Sequence, residues 1–196
     1  MAMAWPHEYD AEQPVIDAIR GGDRYAFEEL VRRHDRWVRG VIFGIVGHRD
    51  RVDDVAQQVW AAVWERIGEL RDPTRWRPWL YRLARNAAID VGRDVTRQRR
   101  RSQKLALHPG VNAEAASRIN GQTPDGEIIS AEERREVLAA IEALPRLYRE
   151  PFVLRHLNGW SYREIADVMD MPVDSVETRL VRARRFLCES LKHKLA

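Results

Sequence analysis

Residues 161–187 read SYREIADVMDMPVDSVETRLVRARRFL, and this stretch decides the fold of the C-terminal half. Ser161 followed by Glu164 forms a capping-box pattern, which begins a short helix. The turn at Asp170-Met171-Pro172 interrupts the helix, and apolar residues at spacings of three and four then predict a longer second helix. These are the dimensions of a helix-turn-helix, a motif that places its second helix in the major groove of DNA.

Seven residues of the predicted second helix are candidate DNA contacts. Its arginines can neutralise phosphates, and short polar side chains near its start can reach base edges. Glu177 would repel phosphates, but a glutamate that faces a base can accept a hydrogen bond from the cytosine amino group. The alternative is an ordinary helical hairpin with a solvated charged face. The candidates are Ser175, Glu177, Thr178, Arg179, Val181, Arg182 and Arg185.

The N-terminal half predicts three long amphipathic helices. Apolar residues recur at spacings of three and four in residues 27–45, 52–70 and 79–91. Asp23 is well placed to cap the first of them, after a shorter helix that ends at Gly21-Gly22. Because no strand-like alternation of any length occurs, the expected fold class is all-α.

The helical periodicity fades at about residue 102 and resumes at about residue 131. Between them, His108-Pro109-Gly110 and Thr123-Pro124-Asp125-Gly126 are turn signals, and Ser130 with Glu133 forms another capping-box pattern. We therefore expect two helical domains, residues 12–101 and 131–196, joined by a flexible linker of residues 102–130. The second domain contains the helix-turn-helix.

Composition excludes several classes of protein. The chain has 196 residues, 44% hydrophobic and 32% charged, which is too apolar for a disordered chain. Its single cysteine, Cys188, excludes an internal disulfide and a zinc site of paired thiolates. No apolar run approaches the ~18 residues of a membrane span, and no secretory signal is visible, so the cytoplasm is the expected location.

The net charge of +3 conceals a strongly basic stretch at residues 71–101. Ten arginines and three acidic residues occur there together with Trp76, Trp79 and Tyr81. Arginines interleaved with aromatic residues suit single-stranded DNA, because bases stack on the rings while guanidinium groups follow the backbone. We expect Trp79 in the core and Trp76 in a loop, free to stack. The candidates are Arg71, Arg75, Trp76, Arg82, Arg85, Asn86 and Asp90, and a solvated helical face is the alternative.

A polar patch opens the second long helix. Asp53, Asp54, Gln57 and Gln58 are adjacent at spacings of four, which indicates either favourable interactions with the helix dipole or a docking surface for a partner. Trp60 and Trp64 follow, also four residues apart, and we expect them in the core.

Two other classes of function compete with a polymerase-dependent one. A stand-alone transcriptional regulator would use the same helix-turn-helix with an N-terminal sensing domain. A metal-dependent phosphohydrolase could use His34-Asp35 with His48, Asp53 and Asp54. Since His34 lies on an apolar stripe, a core histidine is the better interpretation, and we expect no catalytic residue, no metal and no cofactor.

Motifs in both halves together resemble those of bacterial extracytoplasmic-function (ECF) sigma factors of RNA polymerase. The resemblance covers residues 12–101 and 131–192 and leaves the linker unmatched. The family often has a basic residue at position 177 and glycine at position 170. The matching motifs, in order, are Gly22-Asp23 with Ala26-Phe27 and Leu30, DDVAQQVW at 53–60, WLYRLARNAAID at 79–90, LPRLYREPFVLRH at 144–156, GWSYREIA at 159–166 and VETRLVRAR at 176–184.

The resemblance implies a transcription initiation subunit rather than an enzyme. The helix of residues 53–64 would dock on the clamp coiled coil of the largest polymerase subunits. Residues 70–90 would open the minus-ten element and hold a flipped base, with Asn86 and the loop of residues 71–76 at the corresponding positions. The last helix would read the minus-thirty-five element through Glu177, Thr178, Val181 and Arg182. An anti-sigma factor is the expected inhibitory partner.

Overall fold

The computed structural model describes residues 9–105 and 131–192. These ranges contain helices and no strand, which confirms the all-α fold class. The N-terminal half forms α1 (Tyr9–Arg20), α2 (Arg24–Val46), α3 (Val52–Arg66) and α4 (Trp76–Leu105). The C-terminal half forms α5 (Ala131–Ala143), α6 (Arg146–His156), α7 (Tyr162–Met169) and α8 (Val173–Lys192).

Helix α2 is the centre of the N-terminal half and packs against α1, α3 and α4. It begins where the sequence predicts, because the Asp23 carboxylate accepts hydrogen bonds from the backbone N–H groups of Tyr25, at 2.9 Å, and Ala26. It ends at Gly47, whose φ of 76° lies in the left-handed region that glycine adopts without steric cost. Its apolar stripe is buried, and Val38 and Ile42 are fully inaccessible.

The C-terminal half contains the predicted helix-turn-helix, formed by α7 and α8. Both hydrogen bonds of the capping box between Ser161 and Glu164 are present at the start of α7. Asp170 ends α7 with a φ of 52°, a left-handed conformation that aspartate tolerates better than most side chains. The inward stripe of α8 is buried at Val176, Leu180 and Ala183, so its other faces are left for solvent or a ligand.

The boundaries of the linker differ from the prediction at one end. Helix α4 continues to Leu105, beyond the expected domain limit at residue 101. Ser130, the predicted cap of α5, and residues 106–130 lie outside the described residues.

The two halves pack against each other, which the sequence analysis did not predict. Helix α6 lies along α2, and the buried Trp160 ring lies 5.5 Å from the Trp37 ring and 5.9 Å from the Tyr81 ring. One hydrophobic cluster therefore includes residues of both halves. Among the described helices, none combines the length and the apolar character required to cross a membrane.

Candidate nucleic-acid and polymerase interfaces

The outward face of α8 presents most of the predicted duplex-DNA contacts to solvent. Glu177, Thr178, Arg182 and Arg185 are exposed, and Val181 is exposed to 59% although it is apolar. The other two candidates, Ser175 and Arg179, are partly buried. The only described ion pair of these arginines joins Arg185 to Glu189, at 3.4 Å on the surface. The face is thus basic and accessible, as phosphate contact requires.

A second accessible polar face lies on α4. Arg82, Asn86 and Asp90 are exposed and follow one another at four-residue spacing, so they lie on the same side of the helix. Arg85 is only partly exposed, because its Nε donates a 3.1 Å hydrogen bond to the carboxylate of Glu150 on α6. The N-terminal half therefore holds one of its candidate phosphate contacts in an internal ion pair.

The loop before α4 contributes Arg71 and Arg75, both exposed. Asp72 shapes this loop by accepting hydrogen bonds from the Thr74 backbone N–H, at 3.0 Å, and from its hydroxyl, at 2.6 Å. The hydroxyl bond is the main reason why the pKa of Asp72 lies below its usual value. The carboxylate accordingly stays ionised and fixes the turn beside the two arginines.

The prediction that Trp76 is an exposed loop residue is wrong. Trp76 is the first residue of α4 and is 2% exposed, with its ring 4.5 Å from the His34 ring and 6.5 Å from the Trp37 ring. Aromatic rings of α2 surround it, and burying so large an apolar surface is more favourable than leaving it in a loop. In this arrangement Trp76 is not accessible to a base.

The predicted docking patch on α3 is exposed at all four positions, Asp53, Asp54, Gln57 and Gln58. Asp53 also forms an ion pair with Arg39 of α2. The next two residues of this region are the tryptophans, listed with their surroundings as follows: Trp60 is buried and donates a 2.8 Å hydrogen bond to Asp35, whereas Trp64 is 36% exposed with its ring 5.1 Å from that of Phe27. The core prediction is therefore confirmed for Trp60 and wrong for Trp64.

His34 is a buried structural histidine. Its Nδ1 accepts a 3.2 Å hydrogen bond from the Trp37 indole, so its Nε2 is the nitrogen that donates to Glu12, at 2.9 Å. Asp35 accepts from Trp60 and forms an ion pair with Arg39 instead of approaching His34. Within the described residues, no group of three or more His, Cys, Asp or Glu side chains could hold a metal ion.

Two buried charged residues of α6 were missed by the sequence analysis. Arg149 is 7% exposed and Glu150 is 4% exposed, and both contact the N-terminal half. Their signal was present in the chain: Gly40, Gly44 and Gly47 lie close together on α2, where such small residues allow another helix to approach.

The fold and its exposed surfaces define a class, an all-helical DNA-binding protein with a helix-turn-helix. Family models refine this class. The model of Sigma-70 region 2 matches residues 30–101, and the model of Sigma-70 region 4 matches residues 134–187.

Curated relatives agree over nearly the full length. The ECF RNA polymerase sigma-E factor of Haemophilus influenzae is 31% identical over 90% of this chain and 93% of its own length. The RNA polymerase sigma-H factor of Pseudomonas aeruginosa is 30% identical over 93% of this chain and 95% of its own. The chain belongs to the ECF family of RNA polymerase sigma factors, which are DNA-binding transcription regulators.

Solved structures show the same architecture. CnrH in complex with the cytosolic domain of CnrY superposes with a TM-score of 0.64 at 28% identity, covering 94% of this chain and 99% of CnrH. The sigma factor RpoE in complex with the anti-sigma factor NepR from Bartonella quintana superposes with a TM-score of 0.58, covering 85% of this chain and 96% of its own. At 20% identity, this second likeness concerns the fold alone.

Proposed function

We propose that this sigma factor recruits core RNA polymerase to promoters that it recognises at two separate elements. The observation that carries the proposal is the presence of one accessible basic or polar face on each matched domain. The face of α4 with its preceding loop suits the opened minus-ten element, and the face of α8 suits the minus-thirty-five duplex.

On α4, Asn86 is the residue we assign to an extruded base. Its exposed amide carries both donors and an acceptor, which suits the hydrogen-bonding edge of an unpaired base. The neighbouring Arg82, with Arg71 and Arg75 in the loop, would follow the phosphates of the same strand.

On α8, we assign sequence reading to the exposed side chains near the start of the helix. Thr178 and Glu177 can bond base edges, and the methyl groups of Val181 can contact a thymine methyl. Arg182 and Arg185 would hold the phosphates and set the register.

On α3, the exposed acidic and amide groups at positions 53, 54, 57 and 58 form the proposed docking surface for core polymerase. We also propose a protein inhibitor, an anti-sigma factor. Support comes from the structure of CnrH, a relative at 28% identity, which was solved with the cytosolic domain of CnrY bound.

Transcription with core polymerase from the same source tests the proposal directly. Multi-round reactions on a genomic fragment library, with and without this protein, would be followed by sequencing of the transcripts. We expect discrete new start sites that share two upstream elements. An absence of new starts, with folded protein and a polymerase that responds to a control sigma factor, would refute the proposal and favour a stand-alone regulator that binds duplex DNA unaided.

A further inference from the structure

The contact between the two halves is a fitted surface rather than a casual one. A Cβ atom added at Gly40 would lie 2.4 Å from the Asn158 side chain, and one at Gly44 would lie 3.3 Å from the Cα of Glu150. At Gly47 it would lie 2.4 Å from the Arg149 guanidinium. Any side chain at these positions would collide with the C-terminal half. The groove of α2 therefore has the shape of α6.

Arg149 joins the ends of two helices from different halves. Its guanidinium donates to the backbone oxygens of Gly44 and Ile45, both at 3.1 Å, in the last turn of α2. It also donates to the oxygens of Glu142, at 2.7 Å, and Leu144, at 3.0 Å, at the end of α5. Carbonyl groups at helix ends lack intrahelical partners and carry partial negative charge, so one buried cation satisfies both helices.

Glu150 binds the DNA-facing helix of the other half. Its carboxylate accepts a 2.7 Å hydrogen bond from the Tyr81 hydroxyl and a 3.1 Å hydrogen bond from Arg85. Burial, and then the charge of Glu150, raises the pKa of Tyr81, so its hydroxyl stays neutral and remains a donor. A carboxylate thus occupies the guanidinium that a DNA phosphate would otherwise use.

We propose that this arrangement is an autoinhibited state of the free protein, closed by Glu150 on Arg85 and by α6 in the glycine groove of α2. The inference rests on the proposed function, because it requires that both halves contact one promoter. Opening separates α6 from α2 and frees Arg85 for a phosphate.

Size supports an obligatory opening. A folded body of about 160 residues is about 40 Å across. The minus-ten and minus-thirty-five elements lie ~25 base pairs apart, which is ~85 Å along B-form DNA at 3.4 Å per base pair. The closed protein therefore cannot reach both elements at once. Engagement of a complete promoter requires that the two halves separate.

Polar groups make the contact separable. Arg149, Glu150, Arg85 and Asn158 all return to water when α6 leaves α2, and hydration offsets much of the lost hydrogen bonding. Only part of the seam, such as Trp160 and Val153, is apolar. Polymerase or DNA can therefore shift the equilibrium by binding the open state alone.

A disulfide across the seam provides the decisive experiment. A Cβ at position 44 would lie 3.5 Å from the Cβ of Val153, within the range that a disulfide spans. We would combine Gly44→Cys and Val153→Cys with Cys188→Ser, which removes the sole native cysteine. We expect the oxidised protein to lose at least tenfold in promoter-specific transcription by the holoenzyme, and dithiothreitol to restore it.

The Cys188→Ser protein alone, oxidised and reduced, is the matched control. If the disulfide forms completely by mass spectrometry and transcription is unchanged, the autoinhibited state is refuted while the proposed function stands. If the Cys188→Ser control itself gives no promoter-specific transcription while a control sigma factor does, the proposed function has failed.

A second measurement needs no polymerase. Glu150→Gln keeps an acceptor for Tyr81 and removes the charge that holds Arg85. We expect it to bind a labelled mixed-sequence single-stranded 20-mer several-fold more tightly than the wild type. The control is Glu132→Gln, an exposed carboxylate of the same half that removes the same charge. If Glu150→Gln binds no more tightly than Glu132→Gln, Glu150 does not mask the DNA surface.

Discussion

Asn86 is the residue of α4 on which the proposed opening of DNA depends most. Replacing it with alanine removes the amide and leaves the exposed helix surface otherwise intact. The loss of hydrogen bonds to a base costs about 1–2 kcal/mol, so we expect open-complex formation to fall by about tenfold. Permanganate footprinting of promoter thymines measures this directly. Binding to core polymerase is the internal control and should be unchanged, whereas wild-type permanganate reactivity would argue against this assignment.

A second residue, Glu12, ties α1 to α2 through His34. Burial disfavours its charge, but the hydrogen bond and charge of His34, with a further contribution from Arg33, outweigh burial and hold the pKa of Glu12 below its ordinary 4.5. A lowered pKa in the folded state means that the ionised carboxylate stabilises the fold above that ordinary value. The stabilisation disappears as the pH falls through the lower pKa of the folded state.

Glu12→Gln should therefore destabilise the protein by about 1–2 kcal/mol at pH 7. The difference from the wild type should shrink as the pH is lowered below 4.5, and denaturant unfolding between pH 7 and pH 3.5 measures it. Glu28→Gln, an exposed carboxylate on α2, is the control and should have little effect at any pH. A difference for Glu12→Gln that stays constant down to pH 3.5 would contradict the role of its charge.

Single-residue interpretations from sequence succeeded where periodicity constrained them and failed where partners decided. The histidine at 34 was predicted in the core because it continues an apolar stripe, and it is buried. Trp76 precedes that periodic pattern in α4, and only the three-dimensional position of the α2 rings explains why it is buried. Arg149 and Glu150 were missed because a charged residue becomes buried through partners more than a hundred, or nearly seventy, positions away.

At the scale of one element, α3 carries the proposed contact with polymerase. Asp54→Arg reverses a charge on its exposed face, whereas Asp53 is already engaged with Arg39. Reversal places like charges against any basic partner surface, and we expect affinity for core polymerase to fall at least tenfold. Quantitative pull-down or titration of labelled protein measures it. Glu28→Arg makes the same change of charge on α2 and should bind normally. Equal binding by both variants would exclude this face of α3.

Whole elements were more predictable than their contacts. The caps at Asp23 and Ser161 and the apolar stripe of α8 lie where sequence spacing places them, because capping and amphipathicity are local properties. The end of α4 at Leu105 was less predictable, since a helix rich in arginine can continue after its apolar stripe has ended.

For the whole molecule, the seam between the halves should make unfolding cooperative. Gly44→Leu favours the helical conformation of α2 and inserts a side chain where the Cα of Glu150 already lies. We expect one calorimetric transition in the wild type and two in the variant, because each half then unfolds alone. A larger radius of gyration in solution scattering should accompany the change. A single transition at the wild-type temperature would show that the halves do not stabilise each other.

The packing of the halves is also where sequence reading stopped. Two matched domains and a weakly patterned segment between them predict a flexible arrangement, and nothing periodic distinguishes a separate pair from a closed one. The spacing of Gly40, Gly44 and Gly47 was the available signal, but glycine acts there by the absence of a side chain. Such a groove has meaning only when its occupant is known.

The glycines of α2 also make this helix a reporter of closure. Glycine inside a helix weakens it by about 0.5–1 kcal/mol relative to alanine, so Gly40 and Gly44 leave the last turns of α2 dependent on α6 for support. Each time α6 departs, the backbone amides around these positions lose that support and become more prone to local unfolding. Their rate of hydrogen exchange should therefore measure how often the free protein opens.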